Sequence, residues 1–256
     1  MKKIALAAAL ALSFGSAALA QQVKVGIAAE PYPPFAAPDA SGAYTGWEVD
    51  IIGAVCKAAA LDCAITPVAW DGIIPALTSG QIDMIMASMS ITDERLKTID
   101  FSDKYYNTPT VIVGAKGVQM DATPESLAGK IIGVQVSTIH EAYVQKYFAA
   151  GAAEVKTYQT QDEANQDLAA GRIDATQADS VAEQAFLDSE AGKACCEIKG
   201  TVADDAEILG KGVGAGLRKG EDELKGKINA AIKQIREDGT YDAITAKYFA
   251  MSIYGN

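Results

Sequence analysis

Short apolar runs punctuate the chain at regular intervals. Residues 23–28, 63–67 and 82–87 read as strands, and the segments 48–60 and 71–79 between them read as helices. Alternation of this kind predicts an α/β fold. The stretch from Gln81 to Arg95 condenses the pattern. Ile82, Met84, Ile85, Met86 and Ala87 form a nearly continuous apolar run between Gly80 and a pair of serines, which suits a strand covered on both faces. Ser88 and Ser90 fall where that strand ends, and Thr92, Asp93 and Glu94 read as the cap and acidic first turn of a further helix.

The same design begins again at Lys130. KIIGVQV echoes KVGIAAE, and DLAAGRIDATQAD echoes ALTSGQIDMIMAS, with Gly-x-Ile-Asp at the same place in each. Chance among short Gly, Ile and Asp strings is the competing explanation. Two lobes of like construction account for both echoes at once. Hinge segments are expected near 106–113 and 204–213, so that the chain crosses to a second lobe and returns. The returning piece carries helices at 221–236 and 240–250, with Gly239 closing the first of them. A cleft between lobes joined by two crossings is a hinge-bending architecture.

The amino terminus adds a destination. Met1-Lys2-Lys3, an apolar run from Ile4 to Leu12 and Ala18-Leu19-Ala20 form a signal peptide with cleavage after Ala20, giving residues 1–20 no part in the fold. The apolar run is too short to span a bilayer. Without Lys2 and Lys3, 20 basic residues face 33 acidic ones, a formal charge of −13. That balance argues against nucleic acid and against anionic lipid. Four cysteines in an exported chain are disulfide candidates before metal ligands. The pairing of the adjacent Cys195 and Cys196 stays open. With His140 the single histidine, neither a metal nor another cofactor is expected.

Two residues carry the chemistry most directly. Arg95 offers a planar, permanently charged fork that grips a carboxylate with two parallel hydrogen bonds. A surface pairing with Asp93 or Glu94 is its plainer alternative. Asp179, at the end of IDATQAD and before SVAEQAFL, is either a helix N-cap or an acceptor aimed into the cleft.

The string Gly-x-Ile-Asp-x-Ile-Met-x-Ser-x-Ser-Ile-Thr-x-x-Arg resembles the polar amino-acid-binding proteins of bacterial ABC importers, a group that includes histidine, lysine/arginine/ornithine and opine binders. The likeness runs on through GIAAEPYPPF, YTGWEVDI, AWDGIIPAL, GLRK and DGTYDAITAKYF, in order along almost the whole chain beyond the signal peptide. It implies the two-lobed periplasmic binding protein fold (type II), with a hinge of two crossing strands and a ligand cleft between the lobes. Lobe 1 then comprises 21–108 plus 211–256, and lobe 2 comprises 109–210. The expected protein is a monomer in the periplasm that hands an amino acid to the membrane permease subunits of an importer.

The resemblance also assigns roles. Arg95, Ser90 and the Ser137–Thr138 region supply donors to the ligand's carboxylate, and Asp179 takes its ammonium. Ser88 and Met89 flank the strand end. Tyr32, in PYPPF, and Trp70 close on the side chain, where the alternative for each is core packing. Glu30, Glu48 and His140 complete the polar set, and a solvated charge is the alternative for either glutamate. Acids beside aromatics suit a guanidinium or ammonium side chain. Cys56 and Cys63 resemble a bridge found in some relatives. Two departures matter: Ser137-Thr138-Ile139 stands where relatives often have Gly-Thr-Thr, and Ala87-Ser88 where many have two serines. An enzyme resembling the cyclohexadienyl dehydratases is the rival reading, since cleft carboxylates serve as general acid or base on the same scaffold. A sensor ectodomain is a third.

Overall fold

The computed structural model describes residues 22–255, so the signal peptide expected at 1–20 lies outside the described residues. In chain order the elements are β1 (Val23–Ala28), β2 (Ala37–Pro38), β3 (Tyr44–Thr45), α1 (Trp47–Ala58), β4 (Cys63–Val68), α2 (Ile73–Thr78), β5 (Met84–Ile85), α3 (Asp93–Leu96), β6 (Asp100–Tyr106), β7 (Thr110–Ala115), β8 (Ile131–Gln135), α4 (Ile139–Tyr147), β9 (Glu154–Tyr158), α5 (Gln161–Ala169), β10 (Ala175–Asp179), α6 (Ser180–Asp188), α7 (Glu190–Cys195), β11 (Cys196–Thr201), β12 (Val213–Leu217), α8 (Asp222–Glu237) and α9 (Thr240–Thr245). The expected strand over 82–87 contracts to β5, although Met86 still donates its N–H to Gly26 O at 3.0 Å. The expected helix over 71–79 splits into a 3-10 turn at Trp70–Gly72 and the short α2.

Two five-stranded sheets form, in the orders β4-β1-β5-β12-β6 and β11-β7-β10-β8-β9. The fold is therefore a two-lobed one, with one sheet per lobe. The chain passes from the first sheet to the second between β6 and β7, at Asn107–Pro109, and returns between β11 and β12. Trp47, Ile51 and Val55 on one face of α1 meet Ile228, Ile232 and Ile235 of α8 in the first core. Ile112, Ile132, Val134, Tyr143 and Val144 fill the second. Cys56 and Cys63 are bridged, with Cα atoms 6.2 Å apart, tying the end of α1 to the start of β4. Cys195 and Cys196 are bridged to each other at the junction of α7 and β11.

The sequence echo has a physical basis. Asp83 accepts from Lys24 N at 2.9 Å and Asp174 from Ile131 N at 2.8 Å. Each aspartate N–H in turn donates to the carbonyl of that same partner, at 2.8 and 2.9 Å. Both motif glycines, Gly80 and Gly171, have positive φ (78° and 69°), where a side chain is disfavoured. The isoleucine of each motif presses on the glycine of the neighbouring strand. A Cβ on Gly26 would stand 2.3 Å from Ile82 Cδ1, and one on Gly133 2.6 Å from Ile173 Cδ1. Gly-x-Ile-Asp is thus a clasp made once in each lobe.

Candidate functional site

The strand ends of the two sheets face each other across a cleft of about 660 Å³, part of it open to solvent. Ten of the twelve expected residues line it: Glu30, Tyr32, Glu48, Trp70, Ser88, Ser90, Arg95, Thr138, His140 and Asp179. Met89 does not. It is buried in one cluster with Ile73, Leu77 and Ile99, beyond the end of β5 and past the left-handed turn at Ser88 (φ 55°). Ser137 meets the cleft through its carbonyl, not its hydroxyl.

Arg95 sits in the single turn of α3, where Thr92 Oγ1 accepts from its backbone N–H at 3.2 Å. The expected cap is present. The side chain turns away from Asp93 and Glu94, which pair with Lys211 and Lys97 instead. Its guanidinium donates to Ser90 O at 3.0 Å and to Ser137 O at 3.4 Å, and its central carbon lies 5.4 Å from the Trp70 ring centre. Burial lowers its pKa to about 10, which leaves it charged at neutral pH.

Asp179 occupies the N-cap position of α6, yet its side chain makes no capping bond. Its carboxylate instead accepts from Tyr32 Oη at 2.8 Å and Thr108 Oγ1 at 2.9 Å, with His140 Nε2 at 3.9 Å. Burial pushes this carboxyl up, but His140 and the two hydroxyls outweigh it and hold the group below the ordinary value. An ionised acid thus faces Arg95 from the other wall.

The remaining expected residues divide by what their polar atoms already do. Glu48 is buried, and its oxygens accept from Ser88 N at 2.8 Å, Ser88 Oγ at 3.0 Å and the Tyr105 hydroxyl. Glu30 accepts from Trp70 N with both oxygens, at 3.2 and 3.0 Å. The Thr138 hydroxyl caps α4 by accepting from Glu141 N at 3.1 Å, and it donates to Gln135 O at 2.7 Å. What the start of α4 still offers the cleft is the first-turn N–H of Ile139, which lines it. Trp70 is half-buried, and its indole N–H crosses to Ser137 O at 3.3 Å. Tyr32 stacks on Phe35 with ring centres 5.8 Å apart, in a loop containing a cis Pro33-Pro34 bond.

Gln135 and Gln161 also line the cleft and were not among the expected residues. The repeat held the signal for both. Gln135 stands two residues after Gly133 as Ala28 does after Gly26, and Gln161 stands ten before Gly171 as Trp70 does before Gly80. Ser88 and Asp179 are related in the same way, eight residues beyond those two motif glycines.

A cleft between two like lobes, with a guanidinium on one wall and an ionised carboxylate on the other, defines a two-lobed binding protein for a small dipolar solute. Residues 23–251 match the model of the bacterial extracellular solute-binding proteins, family 3, and the chain belongs to that family. It is 43% identical to an L-arginine-binding protein of Pseudomonas aeruginosa and 37% identical to the lysine/arginine/ornithine-binding periplasmic protein of Escherichia coli, each over the full length of both chains. Among solved structures it resembles an ancestral arginine-binding protein bound to arginine (TM-score 0.80, 37% identity, 90% of this chain and 98% of that one). The ancestral arginine-binding protein bound to glutamine gives 0.79 at 38% identity, with the same coverage. A third structure, the ancestral amino acid-binding protein AncCDT-1, a precursor of cyclohexadienyl dehydratase, gives 0.77 at 32% identity over 89% of this chain and 95% of that one.

Proposed function

We propose that this chain is a periplasmic receptor for one amino acid with a basic or extended polar side chain, which it passes to the membrane subunits of an ABC importer. The observation that carries the reading is the opposition of Arg95 and Asp179 across one cleft. Arg95, Ser90 and the Ile139 N–H receive the α-carboxylate, and Asp179 receives the α-ammonium. With these opposite charges neutralised by the ligand's own head group, Glu30 gives the cleft surplus negative character, which favours a guanidinium or ammonium tip held against Trp70 and Tyr32. Glu48 holds Ser88 in place. The names of the relatives at 43% and 37% identity agree with a basic ligand.

Export with cleavage after Ala20 delivers a monomer whose lobes, 21–108 plus 211–256 and 109–210, close on the ligand by hinge bending. Small-angle scattering gives a smaller radius of gyration at saturation if the lobes close. A thermal-shift screen of amino acids and opines identifies the ligand, because a molecule that binds only the folded state raises the melting temperature. No shift with any of them overturns the receptor reading. The likeness to the dehydratase precursor favours a second test, incubation with prephenate or arogenate. Release of a keto acid identifies an enzyme.

A further inference from the structure

Gln161 faces the cleft from lobe 2, at the place in the repeat that Trp70 holds in lobe 1. Behind it lies a closed polar cluster. Its Nε2 is 3.0 Å from Asn165 Oδ1, 2.9 Å from Thr176 Oγ1 and 2.9 Å from Glu183 Oε1. An amide nitrogen carries two hydrogens, so three oxygens cannot all be served. Thr176 does not relieve the conflict, since its hydroxyl donates to Gly133 O at 3.0 Å. Glu183 is fully buried, and its Oε2 has no partner, a costly state for an ionised carboxylate and a milder one for a neutral acid. A protonated Glu183 resolves both problems if the Gln161 amide turns over, the Asn165 amide turns with it and the Thr176 hydroxyl swings from Gly133 O to the Gln161 oxygen. Otherwise Oε1 would face two acceptors, at 3.0 and 2.9 Å. The acid then donates to Gln161 Oε1, and Nε2 faces the cleft. The two ends of an amide are nearly the same shape, so only their hydrogen-bond partners choose between them.

Resting on the receptor reading above, we propose that Gln161 reads the ligand's side chain and that the protonation state of Glu183 decides which end of its amide faces the cleft. Ionised Glu183 draws Nε2 inward and presents the carbonyl to the ligand, an acceptor for a guanidinium. Neutral Glu183 draws the carbonyl inward and presents the NH2, a donor for an amide or ureido oxygen. Burial, followed by the charge of Asp179, pushes the Glu183 carboxyl up to about 8, so the exchange falls just above neutral pH. Asp179 on β10 and Tyr32 from lobe 1 are the titratable groups that face Glu183. His140 stands beyond Asp179. β7 carries no ionisable residue, Glu190 and Lys193 of α7 are exposed, Asp162 and Glu163 of α5 are exposed, and Asp167 pairs with Lys156 and Arg172.

Two measurements test this, the first without ligand. The Gln161 side-chain amide resonances, assigned by their loss in Gln161→Met, are followed by nitrogen-15 NMR in the free protein. They are expected to titrate with a midpoint near 8 and to stay flat in Glu183→Gln. A flat wild-type profile overturns the coupling. The second is calorimetry with arginine and citrulline from about pH 6.5 to about pH 9, where the shared α-amino group cancels in the ratio of affinities. Preference for arginine is expected to rise with pH by on the order of three- to tenfold, the worth of about one hydrogen bond. It should be independent of pH in Glu183→Gln and in Gln161→Met. A pH-independent ratio in the wild type overturns the ligand-reading role. If the wild type binds neither ligand, that role and the receptor reading fall together, while the resonance titration still decides the link between Gln161 and Glu183.

Discussion

Glu48 on the lobe-1 wall and Asp179 on the lobe-2 wall are both buried carboxyls at strand or helix ends, and they are pushed in opposite directions. Burial raises Glu48, against hydrogen bonds from Tyr105 and Ser88 that pull it down. The same burial opposes Asp179, where His140, Tyr32 and Thr108 prevail and lower it. Glu48 accepts three hydrogen bonds and Asp179 two, so the number of hydrogen bonds does not decide the outcome. The imidazole beside Asp179 does, because His140 adds a Coulombic attraction that a serine or tyrosine hydroxyl does not supply. The lobe-1 acid is consumed inside the protein, while the lobe-2 acid is kept ionised at the edge of the cleft.

Removing the ionised pair tests this contrast most severely. Asp179→Ala and Arg95→Ala are each expected to weaken every ligand by roughly 2–5 kcal/mol, about thirty- to several-thousand-fold in Kd, measured by calorimetry with circular dichroism to confirm folding. If Asp179→Ala binds normally, the residue is only a helix-start residue and the two walls are not complementary. Acid should act through the same group. Its folded pKa lies below the ordinary 3.8, so its contribution is present above that value and lost as pH falls below it.

Glu183 sharpens the comparison from the other side. Its folded pKa of about 8 exceeds the ordinary 4.5, so between these values the native state keeps a proton that the unfolded chain has released. Stability therefore falls as pH rises through that window, by up to about 1.4 kcal/mol per pH unit. Urea unfolding of Glu183→Gln at either end of the window should show most of that slope gone. The Cys56–Cys63 bridge closes a short loop, and replacing both cysteines by serine is expected to cost about 2–3 kcal/mol in the same assay. Non-reducing digestion should recover the two in one linked fragment.

Glu48→Gln leaves three donors facing an amide that can accept through only one oxygen, at a cost of roughly 1–3 kcal/mol in stability. Its effect on Kd should be the smaller of its two effects, the reverse of Asp179→Ala. Trp70→Ala should change the ranking of ligands by about 1 kcal/mol or less, through lost stacking and cation–π attraction. Equal weakening of all ligands would place Trp70 with the head-group residues.

Much of the fold was legible because its signals are local. The run Val23–Ala28 needed no context to be a strand, and the Thr92 cap stands as its spacing implies. Gly-x-Ile-Asp was visible as a repeat, but its reason was not, since the aspartate's bond to a strand dozens of residues away leaves no mark on periodicity. Strand β5 was overestimated because buried apolar residues continue past the last ladder hydrogen bonds. Asp179 looked most simply like a cap, and only the distant Tyr32 and Thr108 reveal where its carboxylate points. Met89 was drawn into the expected site by adjacency, although the chain turns at the left-handed Ser88 and the methionine side chain ends in the core. Gln161 was missed because an amide carries no charge to draw notice, and the offset that finds it becomes readable only once the two lobes are aligned on their glycines.

The carbonyl of Ser137 accepts from both Trp70 Nε1 and Arg95 Nη2 across the cleft. In the proposed receptor it acts as an internal competitor, since a carboxylate that is to take the Arg95 fork has to win it from a group that never leaves the protein. The apparent dissociation constant is then the intrinsic one divided by the fraction of molecules in which that contact is already broken. Because the competing oxygen belongs to the backbone, replacing the side chain does not delete it. Ser137 presents it from a left-handed conformation, at φ 61°, with its own N–H donated to Glu141 Oε2 at 2.6 Å. A glycine there would adopt the same conformation at lower backbone cost, so the competing contact belongs to the path of the loop and not to the serine.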